Sequence, residues 1–126
     1  MFATTHDNTL TLPVPAGGVK NQIPVFMSRF LAVVPQKDEP FVEGKTFAGV
    51  VSGIETVVDV TGIAANADAY QQVCVKNDGT VVLGNPSATQ AKLGVTKFAI
   101  DAKAGNTDPA APIVATQRVK IIVQGI

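Results

Sequence analysis

Apolar and polar positions alternate with a period of two over several short stretches, and prolines and glycines separate those stretches. Strict alternation over four to eight residues is the signature of a half-buried strand. Leu10, Leu12 and Val14 alternate with Thr9, Thr11 and Pro13, which predicts a first strand over 9–14. Pro13 has no amide proton to give a ladder, so this strand belongs at an edge or ends there. Pro15-Ala16-Gly17-Gly18 then forces a turn. Two apolar runs, 23–26 and 30–34, flank Met27-Ser28-Arg29, and the charged stretch 35–40 reads as an exposed loop. A strand over 46–51 ends at the turn signal Ser52-Gly53.

The clearest alternation is 54–61. Ile54, Thr56, Val58 and Val60 share one face, and Glu55, Val57, Asp59 and Thr61 the other. Residues 64–70, Ala-Ala-Asn-Ala-Asp-Ala-Tyr, have the best helix propensity in the chain and predict at most one short helix. Runs at 72–76 and 80–83 around Asn77-Asp78-Gly79 predict a hairpin, because Asp-Gly supports the positive φ of a tight turn. Residues 84–92 read as a loop, 93–100 as a strand, 101–112 as a long surface loop and 118–124 as the last strand.

Composition supports this pattern. The chain of 126 residues holds 19 Val, 8 Ile and 12 Thr, types that suit a pleated surface. Many short strands between frequent turn signals predict an all-β fold, a small β-barrel or sandwich. The length fits one domain over 9–126, preceded by an N-terminal arm at 1–8.

Charge narrows the partners. Ten Lys and Arg balance ten Asp and Glu, so no basic footprint for nucleic acid exists. No apolar run is long enough to span a bilayer as a helix, so no membrane partner is expected. The first residues lack the basic and apolar regions of a signal peptide. Charged residues are only 16% of the chain, an unusually low share with neutral balance for a free monomer. That suggests a surface largely covered by partners.

The candidate chemistry is sparse. His6 beside Asp7 is the only imidazole, and it lies near a terminus where rigid placement is hard. Cys74 alternates with Val73 and Val75 and reads as a small buried hydrophobe. One His and one Cys cannot build a zinc site without many carboxylates. Glu55 and Asp59 are about 13 Å apart by strand rise, too far to share a proton. Asp78-Gly79 lacks the further oxygen ligands of a calcium loop. No nucleophile elbow, metalloprotease helix or phosphate loop is present. No cofactor is expected, and the residues point away from an enzyme.

One resemblance gives the pattern a function. Asn8-Thr9-Leu10-Thr11-Leu12 followed by Pro15-Ala16-Gly17-Gly18-Val19 resembles the opening of a family of small tailed-phage head decoration, or cement, proteins. The likeness continues through Gln22-Ile23-Pro24-Val25, 29–34, 42–46, 47–60, the hairpin 77–81, Leu93-Gly94-Val95 and Arg118-Val119-Lys120-Ile121. Pro-Ala-Gly-Gly is its most specific motif. Ala67 stands where the family has Gly, and the Trp usual after the Tyr is absent; both departures concern local packing. The resemblance implies a small β-barrel or β-tulip-like sandwich, often a homotrimer. Such a protein sits on the outer surface of the virion, binds the major capsid protein where capsomers meet, and stabilises the lattice. It implies no chemistry. Phe2, Thr9, Leu10, Thr11 and Leu12 are the expected capsid or subunit contacts. The alternative is a phage tail or fibre component, or another receptor- or carbohydrate-binding β module.

Overall fold

A computed structural model describes residues 8–125. Among them are nine strands. β1 (Thr9–Pro13), β2 (Val25–Ser28), β3 (Leu31–Pro35) and β4 (Thr46–Val50) form a four-stranded sheet in the order β1-β4-β3-β2. β5 (Ser52–Val60), β6 (Gln72–Lys76), β7 (Val81–Leu83), β8 (Gln90–Thr96) and β9 (Gln117–Gln124) form a five-stranded sheet in the order β5-β9-β8-β6-β7. All pairings within the two sheets are antiparallel. The protein is an all-β sandwich.

One of the expected architectures is corrected. The fold is not a closed barrel. The outer strands of the five-stranded sheet, β5 and β7, meet only where the Thr61 amide donates to the Val81 carbonyl at 2.8 Å, beside an isolated Thr61–Val82 bridge. The 64–70 segment, read as at most one short helix, forms none. Ala67 exchanges both backbone hydrogen bonds with Ile100, the Tyr70 amide donates to Thr96, and the Asn66 side chain accepts from the Ala102 amide. These long-range bonds take the backbone groups that a short helix would use internally, and seven residues of good propensity nucleate too weakly to compete.

Smaller differences follow the same logic. Ser52-Gly53 is not a turn but the start of β5. Gly53 sits at φ 79° in a one-residue bulge against β9, so the chain passes from one sheet to the other without reversing. β8 begins at Gln90, inside the stretch read as a loop, and ends at Thr96 rather than at residue 100.

The alternation in β5 and β9 is realised. Val58, Val60, Val119, Ile121 and Val123 are buried while Glu55, Asp59, Arg118 and Lys120 are exposed. The four-stranded sheet is apolar on both faces. Ala32, Val34 and Val50 turn inward to the main core with Val73, Val75, Leu93 and Ile121. Val33, Phe47 and Val51 turn outward into a second cluster with Val14 and Val19. Two glycines permit the closest approaches. A Cβ on Gly49 would lie 2.7 Å from the Val33 Cβ, and one on Gly94 would run into the Ile122 carbonyl oxygen.

The two sheets join at Val51. Its amide donates to the Asn8 carbonyl and its own carbonyl accepts from the Gly125 amide, both at 2.8 Å. The first and last described residues of the fold are thus tied to one position.

Candidate contact surface

Among the described residues β1 pairs with β4 alone, from Thr9 opposite Val50 to Pro13 opposite Thr46. It is an edge strand, as Pro13 predicts. Leu10 and Leu12 share a face with Phe47 and Gly49, their partners in register, and lie half-buried against the outer cluster. Thr9 is half-buried, and Thr11 is exposed on the opposite face. Four of the expected contact residues therefore lie together on one edge, two of them also serving the core. The fifth, Phe2, lies outside the described residues, as does His6.

Around β1 the outer face of the four-stranded sheet is only half covered. The turn at 15–18, closed by the Gly18 amide on the Pro15 carbonyl, brings Val19 into a two-way bridge with Glu39. That loop buries Val14 and Val19, but Leu10, Leu12, Val25, Met27 and Leu31 stay partly exposed. Glu39 anchors the loop from below. Its side chain pairs with Lys45 at 3.2 Å and Lys37 at 3.4 Å. The hydrogen bond from Lys45, reinforced by Lys37, holds its carboxyl below the usual range against the cost of burial.

Sequence reading missed several exposed apolar residues. Phe30 caps the β2–β3 turn with 77% of its surface exposed, and the Arg29 guanidinium sits 4.7 Å above its ring. Its position in an apolar run read as strand interior; the bulge between Phe26 and Ser28 puts it in the turn instead. Tyr70 is 67% exposed at φ 65°, a backbone conformation no composition signal reveals. Phe98, Ile23, Phe41 and Val42 are also exposed.

The chemically capable side chains are separated or engaged. Cys74 is fully buried and its thiol donates to the Gly84 carbonyl at 2.9 Å; burial pushes its pKa up, away from a reactive thiolate. Glu55 accepts from Lys97 through both oxygens at 2.8 Å, and Lys120 lies 3.8 Å away. The Lys97 hydrogen bond holds the Glu55 carboxyl below its ordinary range. Asp59 pairs with Arg118 at 3.3 Å. Each carboxylate of this strand face has its own cations, the arrangement of a solvated sheet surface. Among the described residues no three His, Cys, Asp or Glu side chains are grouped to hold a metal, and no helix is long and apolar enough to cross a membrane.

Two clefts flank β5. The larger, about 570 Å³, lies between Val57–Asp59, the 78–81 turn and Asn21–Pro24. The smaller, about 250 Å³, lies between Ile54–Thr56, Val34–Gln36 and Asn21–Gln22. Comparison with known proteins found no matching family model, curated protein or solved structure.

Proposed function

We propose that the protein is a head decoration protein. It binds the major capsid protein on the outer surface of a tailed-phage virion as a homotrimer and stabilises the lattice without catalysis. The observation that carries this reading is the half-covered apolar outer face of the four-stranded sheet, bordered by the open edge of β1. The family-like opening, Thr9–Leu12 followed by Pro15–Val19, forms that edge and the loop beside it. A half-exposed apolar face with an adjacent strand edge suits docking of a flat protein partner. A stable contact needs on the order of 1,000 Å² in total, and three copies around a symmetry axis multiply modest affinities.

The test is co-sedimentation of the purified protein with expanded phage heads, together with its mass in solution. Saturable binding and a trimer, free or formed on the shell, are expected. Failure to bind expanded heads rejects the reading. The cleft lined by Asn21, Asp59, Asp78, Thr80 and Arg118 favours a second reading, a polar-ligand or carbohydrate module. Binding on a glycan array with no binding to heads would select it.

A further inference from the structure

Asp108-Pro109 is the only Asp-Pro peptide bond in the chain. Its proline nitrogen is tertiary and has no N–H. The aspartate before it carries a carboxylate next to its own backbone carbonyl. Attack there closes a five-membered ring, so the covalent chain itself holds nucleophile and reacting carbon together. Asp108 and Pro109 are exposed in the connection between β8 and β9, where water and its protons reach both.

The exposed loop is nevertheless well tied. At its base the Ala102 amide donates to the Asn66 side chain and the Val114 amide to the Ala102 carbonyl, both at 2.8 Å. The Gln117 side-chain amide donates to the Asp101 and Val114 carbonyls. Further out, the Asp108 amide donates to the Asn106 side chain at 2.9 Å. Ala104 sits at φ 53°, the left-handed region where a residue with a Cβ is strained. Lys103 beside it reaches across the loop to the Asp-Pro unit.

Three donors meet there. The Ala111 amide donates to the Asp108 carbonyl oxygen at 3.0 Å. The Lys103 ammonium lies 3.5 Å from the same oxygen and also donates to the Pro109 carbonyl. The Ala110 amide donates to Asp108 Oδ1 at 2.9 Å, which holds the carboxylate beside the backbone and leaves Oδ2 for attack. A backbone N–H and an ammonium on one carbonyl oxygen are the donors that stabilise a developing oxyanion.

We propose that Asp108–Pro109 is a self-cleavage site, with the Asp108 carboxylate as nucleophile and Lys103 with the Ala111 amide as the oxyanion donors. Oδ2 bonds to the Asp108 carbonyl carbon, and the carbonyl oxygen carries the transient negative charge between the two donors. The bond from that carbon to the Pro109 nitrogen breaks as the nitrogen takes a proton from solvent. Water then opens the cyclic anhydride, restores the Asp108 side chain, leaves a free α-carboxylate and returns the proton; one water is consumed. The pieces are 1–108 and 109–126, and the second carries β9, which lies between β5 and β8. A cut chain therefore keeps its sheet while losing the covalent link from β8 to β9. This inference stands apart from the decoration reading, and one scission per chain is not turnover.

Intact mass measured under denaturing conditions tests it, on the full chain incubated at pH 5 in the native state and in urea. The native chain is expected to yield 1–108 and 109–126 about tenfold faster than the unfolded chain, the smaller end of what one oxyanion donor supplies. Lys103→Met should bring the native rate down to the unfolded one, and Lys103→Arg, which keeps the cation, should restore most of it. Asp108→Asn should stop the cut. A native chain cut no faster than the unfolded chain overturns the proposal, and so does an unchanged native rate in Lys103→Met. A cut at any other bond also overturns it, in favour of a contaminating protease.

Discussion

Gly94 packs its α-carbon against the carbonyl of Ile122, on the neighbouring strand β9, at a distance that admits no side chain. The contact lies in the centre of the five-stranded sheet, where β8 and β9 must both keep their register. Gly94→Ala is expected to destabilise the protein by about 3 kcal/mol, the upper range for forcing an extra methyl group into packed structure. Urea unfolding checks this. A loss below about 1 kcal/mol would show that β9 can shift aside.

Acid should weaken two lysine-held carboxylates, Glu39 in a loop and Glu55 on β5. Glu39 and Glu55 both have folded pKa values lowered by lysine partners, from an ordinary 4.5. Their contribution to stability is present above that value and is lost as pH falls through the lowered folded values. The thermal midpoint of the wild type should therefore decline from pH 5 downward. The Glu39→Gln/Glu55→Gln variant should start lower at pH 7 and decline less steeply. Parallel curves for the two proteins would remove these residues as the source.

Cys74 should behave as a structural thiol. A thiol reagent at pH 8 should label the native protein far more slowly than the urea-unfolded chain, because the thiol is buried and its pKa is raised from 9.0. The folded state is favoured while the thiol stays protonated, so this contribution fades as pH rises above about 9. Rapid labelling of the native protein at pH 8 would contradict the burial.

Thr11 separates stability from binding. It is exposed on β1 and faces away from the outer cluster. Thr11→Lys should change stability by less than about 0.5 kcal/mol, yet place a charge on the edge proposed to meet the capsid. Loss of co-sedimentation with heads, with an unchanged urea midpoint, is the expected result. Undiminished binding would move the contact away from β1.

Most strands were legible in the sequence because each carries its own alternation. β6 matches its predicted bounds, and β5 and β9 bury the faces their patterns assign. What was not legible depends on distant partners. The 64–70 segment has helix-forming residues, but its backbone is claimed by Ile100 and Thr96, dozens of positions away. The second core was hidden for a related reason. β3 reads Leu-Ala-Val-Val-Pro, a continuous apolar run that fits burial on both faces but cannot say what lies on each. In the candidate surface, Thr9–Leu12 could be found from its alternation and its proline. Phe30 could not, because one bulge decides whether it lies in a strand or at its tip.

The hydrogen bonds at Val51 have a consequence for how the molecule comes apart. Asn8 and Gly125, far apart in sequence, close the described chain into a loop at a single residue. Releasing that residue would free the ends of β1 and β9 together, one from each sheet. The two layers are thereby joined into one cooperative unit by a joint rather than by their shared core alone. A proline at position 51, which lacks the amide that holds Asn8, would release the β1 side of this joint while the Gly125 bond to the residue 51 carbonyl stays in place.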